Sequence, residues 1–137
     1  MYEKQLDAIL AAWNEGDLDG LDAVVASDAV RKSPAALDSD ATNLEELKDV
    51  IRSFREAYPD THVEIEEFFE QGDRTFAKWT FTGTNTGPGD FPPTGKSVRV
   101  EGTSLGRYEE GMMKEELVYF DALGMMTQLG LIDMPQG

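Results

Sequence analysis

Gly102-Thr103-Ser104-Leu105-Gly106-Arg107-Tyr108-Glu109-Glu110-Gly111, followed by Glu115, Asp121 and the run Leu123-Gly124-Met125-Met126-Thr127-Gln128-Leu129-Gly130, is the stretch whose reading decides the fold. Its alternation predicts a strand over about Ser97 to Glu109, a hairpin turn at Glu110-Gly111, and a returning strand over Lys114 to Asp121. A short apolar helix follows from Ala122. Asp121 stands where strand gives way to helix and is expected to be covered by it, and a carboxylate held against apolar walls can act as a base. Residues 115, 117, 119 and 121 share one face of a strand, so Glu115, Leu117, Tyr119 and Asp121 are expected to point into one cavity of mixed apolar and acidic character.

Upstream the period differs. Leu6, Ile9, Leu10 and Trp13 fall at helical spacing and Gly16 can stop the turn, which predicts an amphipathic helix over about residues 2–15. A second short helix over 18–26, opened by Asp17, would carry Leu18, Leu21, Val24 and Val25. Ser27 to Thr42 reads mostly as loop. Leu44, Leu47, Ile51, Phe54 and Tyr58 mark a third helix over 43–58, ended by Pro59. Beyond it the period changes to two: Val63, Ile65 and Glu67, a turn at Gly72-Asp73, then Thr75, Ala77, Trp79, Phe81 and Gly83. A Gly/Pro-rich connector, Gly87 to Gly95, leads to the strand quoted above. Three helices followed by antiparallel strands over about 61–121 predict an α+β fold in one domain over residues 1–137.

Composition narrows the function. The 137 residues are 40% hydrophobic and 28% charged, with no apolar run of membrane-spanning length. The start Met1-Tyr2-Glu3-Lys4-Gln5-Leu6-Asp7 is acidic and periodic, unlike a signal peptide, so a cytoplasmic protein is expected. Twelve basic against 27 acidic side chains give a formal charge of -15, which would repel phosphate backbones and anionic membranes. Neither nucleic acid nor membrane is an expected partner. The same acidity also reads simply as a device for solubility. With no cysteine and a single histidine, His62, the sequence offers no transition-metal cluster and no nucleophile-histidine pair. Gly87-x-Gly89 precedes prolines and a strand rather than a helix, so no dinucleotide loop is read there. No metal and no cofactor are expected, and His62 reads as a surface residue at a strand entrance.

The C-terminal block resembles the signature of SnoaL-like polyketide cyclases, a branch of the nuclear transport factor 2-like superfamily: G-T-H-x-F-R, D-G, E-x-W-x-x-x-D, L-G-x-x-x-Q-L-G. Ser104 stands at the histidine of that pattern, Gly106 at its phenylalanine and Leu117 at its tryptophan, while Asp121 matches its aspartate. The resemblance runs from about Glu3 to Leu131 through Ala12-Trp13-Asn14, Tyr58-Pro59-Asp60, Gly72-Asp73-Arg74, Trp79-Thr80, Thr82-Gly83-Thr84 and Pro92-Pro93-Thr94-Gly95-Lys96. It implies a cone-shaped fold in which a curved antiparallel sheet wraps three N-terminal helices around an apolar pocket. It also implies an acid/base role for Asp121 in an intramolecular aldol closure, with the indole of Trp13 lining the pocket beside Asn14. Relatives often carry a Trp-His-Asp-Pro run where this chain has Arg31-Lys32-Ser33-Pro34.

The candidate site is therefore Asp121 as acid/base, with Trp13, Asn14, Phe54, Tyr58, Trp79, Asn85, Ser104, Glu115 and Tyr119 around a small hydrophobic carbonyl compound. Each has a plainer reading beside it. Asp121 can cap the following helix, Trp13 can be core packing, Asn85 can end its strand, and Gly106 can either mark a bend or enlarge the cavity. Two classes of function remain: a cofactor-independent cyclase or isomerase, and a non-catalytic small-molecule-binding protein of the same fold. A homodimer is expected through the opposite phase of the sheet, at Phe76, Thr80, Thr82, Arg99 and Thr103, with Pro92-Pro93 near the cavity mouth or the dimer contact.

Overall fold

The computed structural model describes residues 1–36 and 39–133. Helix α1 spans Glu3–Glu15 and turns its Leu6, Ile9, Leu10 and Trp13 stripe inward. A single turn of 3-10 helix, Asp19–Ala23, follows, and then strand β1, Val25–Lys32. Here the chain departs from the expected helix over 18–26 and the loop after it. β1 pairs in parallel with the last strand, placing Val30 beside Glu115, Arg31 beside Glu116 and Lys32 beside Leu117. The sheet is thus not wholly antiparallel. Val24, Val25, Ala29 and Arg31 are buried, and in a segment this short the β-branched valines serve a pleated strand better than a helix once a partner edge is present.

Helix α2, Leu44–Ala57, begins as its sequence requires. The Asn43 side chain accepts from the Glu46 amide at 2.9 Å, and Glu46 reaches back to accept from the Thr42 amide at 2.9 Å and the Thr42 hydroxyl at 2.8 Å. This reciprocal arrangement satisfies amides that have no partner within the helix. Strands β2 (His62–Gln71), β3 (Arg74–Thr84), β4 (Ser97–Glu109) and β5 (Met112–Phe120) follow, and the sheet order is β1-β5-β4-β3-β2. The Glu110-Gly111 hairpin forms as expected, with φ of 51° and 80°, a pair of left-handed residues suited to the twist of the joined strands.

Helix α3, Ala122–Gln128, completes the sheet at a place where it would otherwise be open. β5 pairs with β4 only from Gly102 onward, leaving the start of β4 without that neighbour. Gln128 of α3 substitutes for a strand there, accepting from the Arg99 amide at 2.7 Å and donating to the Arg99 carbonyl at 3.0 Å. Asn14 plays the same part at the other side, bonded to both the amide and the carbonyl of Val63 at 2.6 and 3.0 Å. These two amides tie α1 and α3 to the sheet alongside the apolar contacts of Ile9, Ala12 and Trp13 and of Met125.

Apolar packing divides into two clusters. One gathers Ala12, Leu21, Val25, Leu47, Ile51 and Met113 beneath β1 and the helices; the other gathers Tyr58, Phe81, Val98, Val100 and Leu129 toward α3. No helix among the described residues is long and apolar enough to cross a membrane.

Candidate functional site

Between the two clusters the inner face of the sheet carries a run of small side chains. Cross-strand partners share a face, so the register sets three inward rows: Arg31, Glu116, Gly106 and Thr75; then Val118, Ser104, Ala77 and Phe68; then Phe120, Gly102, Trp79 and Ile65. Ser104 and Ala77 are too small to fill the space under α1 and α2, while the Trp79 indole lies over Gly102 and Thr75 and Tyr108 pack over Gly106. The result is a cavity of about 100 Å³, partly open to the surface and walled by Leu6, Ile9, Leu10 and Trp13 of α1, Phe54 of α2, and Val63, Phe81, Val100 and Met125. Its polar members are Arg31, Thr75, Ser104, Tyr108 and Glu116.

The ion pair at one end is built by topology. Arg31 and Glu116 lie 85 residues apart in sequence, and the parallel pairing of β1 with β5 makes them neighbours, with Arg31 Nη1 2.8 Å from Glu116 Oε1. Their side chains are 7% and 14% exposed. Arg31 Nε also donates to the Ser39 carbonyl at 3.0 Å, and the guanidinium carbon lies 5.9 Å from the centre of the Trp13 ring. At mid-wall Trp79 Nε1 donates to Ser104 Oγ at 2.9 Å. That bond occupies a lone pair of the serine and leaves its own proton available to donate.

Tyr108 is nearly buried, and burial followed by the charge of Glu116 pushes its phenol up to about 12. It is a hydrogen-bond donor throughout the physiological range, never a base. Its folded value lies above the ordinary 10.0, so the stability it contributes is complete below that value and is lost as pH rises toward 12. Phenolate absorbance followed through an alkaline titration should show Tyr108 ionising late, and the urea midpoint should fall over the same interval. Ionisation of every tyrosine at its ordinary value would contradict this environment.

The expected site residues separate into two groups. Trp13, Phe54, Trp79 and Ser104 do line the cavity. Tyr58 is buried one layer behind, with its ring edge-on to Phe81 at 5.5 Å. Asn14 is engaged with Val63 as described. Asn85, 1% exposed, closes the connector: its carbonyl oxygen accepts from the Thr94 amide at 2.8 Å. Phe91 of the connector packs on the second apolar cluster, and no connector residue is among those walling the cavity.

The face carrying Glu115, Leu117, Tyr119 and Asp121 points away from the cavity, contrary to the expectation. Tyr119 is 51% exposed, and Glu115 lies on the outer surface, 3.2 Å from Arg107. Asp121 is exposed and caps α3, accepting from the Gly124 amide at 2.8 Å. The phase is reversed because both alternations of β5 are amphipathic, and because a bulge between Arg107 and Tyr108 turns Met113 inward while Glu115 stays outward. Sequence reading also passed over Arg31, Glu116, Tyr108 and Thr75. A signal was present in the small residues 102, 104 and 106, which already distinguish the inner phase of β4.

The outer face bears a cleft of about 410 Å³ among Val30, Lys32, Arg74, Leu105, Arg107, Glu115 and Leu117, and Thr75, Gly106 and Glu116 border this cleft as well as the cavity. It is larger than the cavity under α1 and α2 but carries five charged side chains, Lys32, Arg74, Arg107, Glu115 and Glu116, where the cavity carries one ion pair. The cavity is the better candidate for a hydrophobic ligand.

A family model described as SnoaL-like polyketide cyclase matches residues 4–129. Among solved structures the chain is similar to TsrD from Streptomyces laurentii, at 26% identity and TM-score 0.84 over 95% of both chains. AclR from Streptomyces galilaeus has 24% identity and TM-score 0.81 over 99% of this chain and 91% of that one. A protein of ketosteroid isomerase-like fold from Catenulispora acidiphila has 19% identity and TM-score 0.79, over 97% and 98%. No curated protein matches the chain. The family match spans both the helices and all five strands that enclose the cavity, and the chain belongs to the SnoaL-like polyketide cyclase family.

Proposed function

We propose that the protein is a cofactor-independent enzyme that moves protons on a small hydrophobic carbonyl compound, by aldol cyclisation or isomerisation, and that it works as a cytoplasmic homodimer. The observation that supports this most is the cavity, whose walls are apolar except for hydroxyl-bearing side chains and the Arg31–Glu116 ion pair. Chemistry of this kind asks for a base near a carbon-bound proton and for donors near the carbonyl oxygen where charge develops. An apolar chamber supplies the third need, which is to hold a flexible substrate so that its ends meet.

A second reading is a binding protein that keeps the chamber without chemistry. It is favoured by serine at the family's histidine position and by the exposure of Asp121. A thermal-stabilisation screen of aromatic polyketide-like and steroid-like compounds, with product analysis on each hit, separates the two. Ligands at a hundred times their dissociation constant should stabilise the fold by about 2.7 kcal/mol. Conversion of at least one hit is expected; binding without conversion across the set would favour the second reading.

The dimer is supported by the outer sheet face. Phe69, Leu105 and Tyr119 are exposed there, near Phe76. Lys32, Arg74, Lys78, Arg99 and Arg107 stand on that face interspersed with Glu64, Glu67, Glu101 and Glu115, so a two-fold contact there can set opposite charges against each other. Light scattering at micromolar concentration should give twice the chain mass.

A further inference from the structure

We propose that Glu116 is the group that takes and returns the substrate proton, and that Arg31 is the residue that positions it. This rests on the reading of the cavity as a site of proton transfer. Among the described residues Glu116 is the carboxylate that walls the cavity. One of its oxygens is clamped: Oε1 accepts from Arg31 Nη1 at 2.8 Å, and the guanidinium is itself held by the Ser39 carbonyl. Oε2 accepts no hydrogen bond among the described residues.

Directly across β4 from Glu116 is Gly106, so no side chain from that neighbour covers the carboxylate. A Cβ at Gly106 would meet Thr75 Oγ1 at 2.7 Å and Tyr108 Cε1 at 3.1 Å. That space is taken by the Thr75 and Tyr108 side chains, which the missing side chain lets pack beside the carboxylate. Thr75, Tyr108 and Ser104 place hydroxyls along the same wall, and Ser104 has its acceptor side occupied by Trp79. Asp121 does not wall the cavity: it is exposed, and its Oδ1 is engaged by the Gly124 amide.

In the step this arrangement serves, Glu116 Oε2 accepts a proton from the carbon next to a carbonyl. The electron pair of the broken C–H bond moves into a C–C double bond and the carbonyl pair moves onto oxygen, giving an enolate faced by the hydroxyl donors. Return of that proton to a different carbon completes an isomerisation. Attack of the enolate carbon on a second carbonyl forms a C–C bond instead, and the carboxylic acid protonates the resulting alkoxide. No oxidant or co-reactant is needed in either case.

The test uses 5-nitrobenzisoxazole, a planar apolar probe whose carbon-bound proton is removed by carboxylates. Its N–O bond breaks as the C–H pair forms a nitrile, and the yellow cyanonitrophenolate is counted by absorbance. The wild-type protein should open this ring faster than acetate of equal concentration. Glu116→Gln should lower the rate about a hundredfold or more, and at least tenfold further than Asp121→Asn, which keeps a competent helix cap. Arg31→Lys should lower kcat with KM little changed and retain more rate than Arg31→Met, as a positioning role requires. If Glu116→Gln fails to fold, Glu116→Asp keeps the charge and withdraws it by one methylene, and a tenfold loss with an unaltered melting temperature is expected. Turnover by folded Glu116→Gln equal to wild type, or loss confined to Asp121→Asn, overturns the proposal while leaving the cavity reading intact. No turnover of the probe by the wild type also overturns it. If the compound screen then gives binding without conversion, the enzymatic reading falls as well.

Discussion

Replacing Arg31 by methionine should lower the free energy of unfolding by about 3–5 kcal/mol, the range observed when one partner of a buried ion pair is removed. Both side chains are largely withdrawn from water, at 7% and 14% exposure, and the loss would leave the Glu116 charge facing an apolar chamber with no cation beside it. The same change removes a hydrogen bond to the Ser39 carbonyl and the cation above Trp13. Urea unfolding followed by tryptophan fluorescence gives the measurement. The pair Arg31→Met with Glu116→Leu should cost less than Arg31→Met alone, because no uncompensated charge then remains. A loss below about 1 kcal/mol in the single variant would place this pair with solvent-screened ones.

The second large effect is expected at Gly102. It pairs with Trp79 across β3 and β4 and with Phe120 across β4 and β5, and the Trp79 indole lies over it. A Cβ built there falls on the Trp79 ring and within 2.8 Å of the Tyr119 carbonyl oxygen, which is backbone and cannot move aside. Gly102→Ala should cost about 2–4 kcal/mol, with overpacking supplying ~1–3 and the broken Trp79 to Ser104 hydrogen bond ~1. Tryptophan emission should shift to the red as the indole is displaced, and any ligand found to stabilise the wild type should lose affinity. A stable variant with unchanged emission would mean that the indole does not occupy this position.

Much of this architecture was legible in the sequence, and the reasons are local. Leu6, Ile9, Leu10 and Trp13 recur at the period of a helix, Thr75, Ala77, Trp79 and Phe81 at that of a strand, and Glu110-Gly111 is a two-residue turn suited to left-handed backbone. Those signals lie within a few residues of each other and need no partner to be read. They sufficed for α1, α2, β2 to β5 and α3 and for an α+β fold, while the family resemblance is what pointed to Trp13 and Ser104 on the chamber wall. What only the tertiary structure decided is non-local. Val25 to Lys32 is a strand because the edge of β5, more than eighty residues away, offers it hydrogen bonds, and nothing within those eight residues announces that partner. The inward phase of β5 is the one bearing Glu116, Val118 and Phe120 because its cross-strand partners Gly106, Ser104 and Gly102 leave room for them, while a bulge sets Met113 apart from Glu115. A strand apolar on both alternations does not name its buried face. Pairing energy between strands, rather than the preference of any one segment, brought Arg31 to Glu116 and sent Asp121 to the surface.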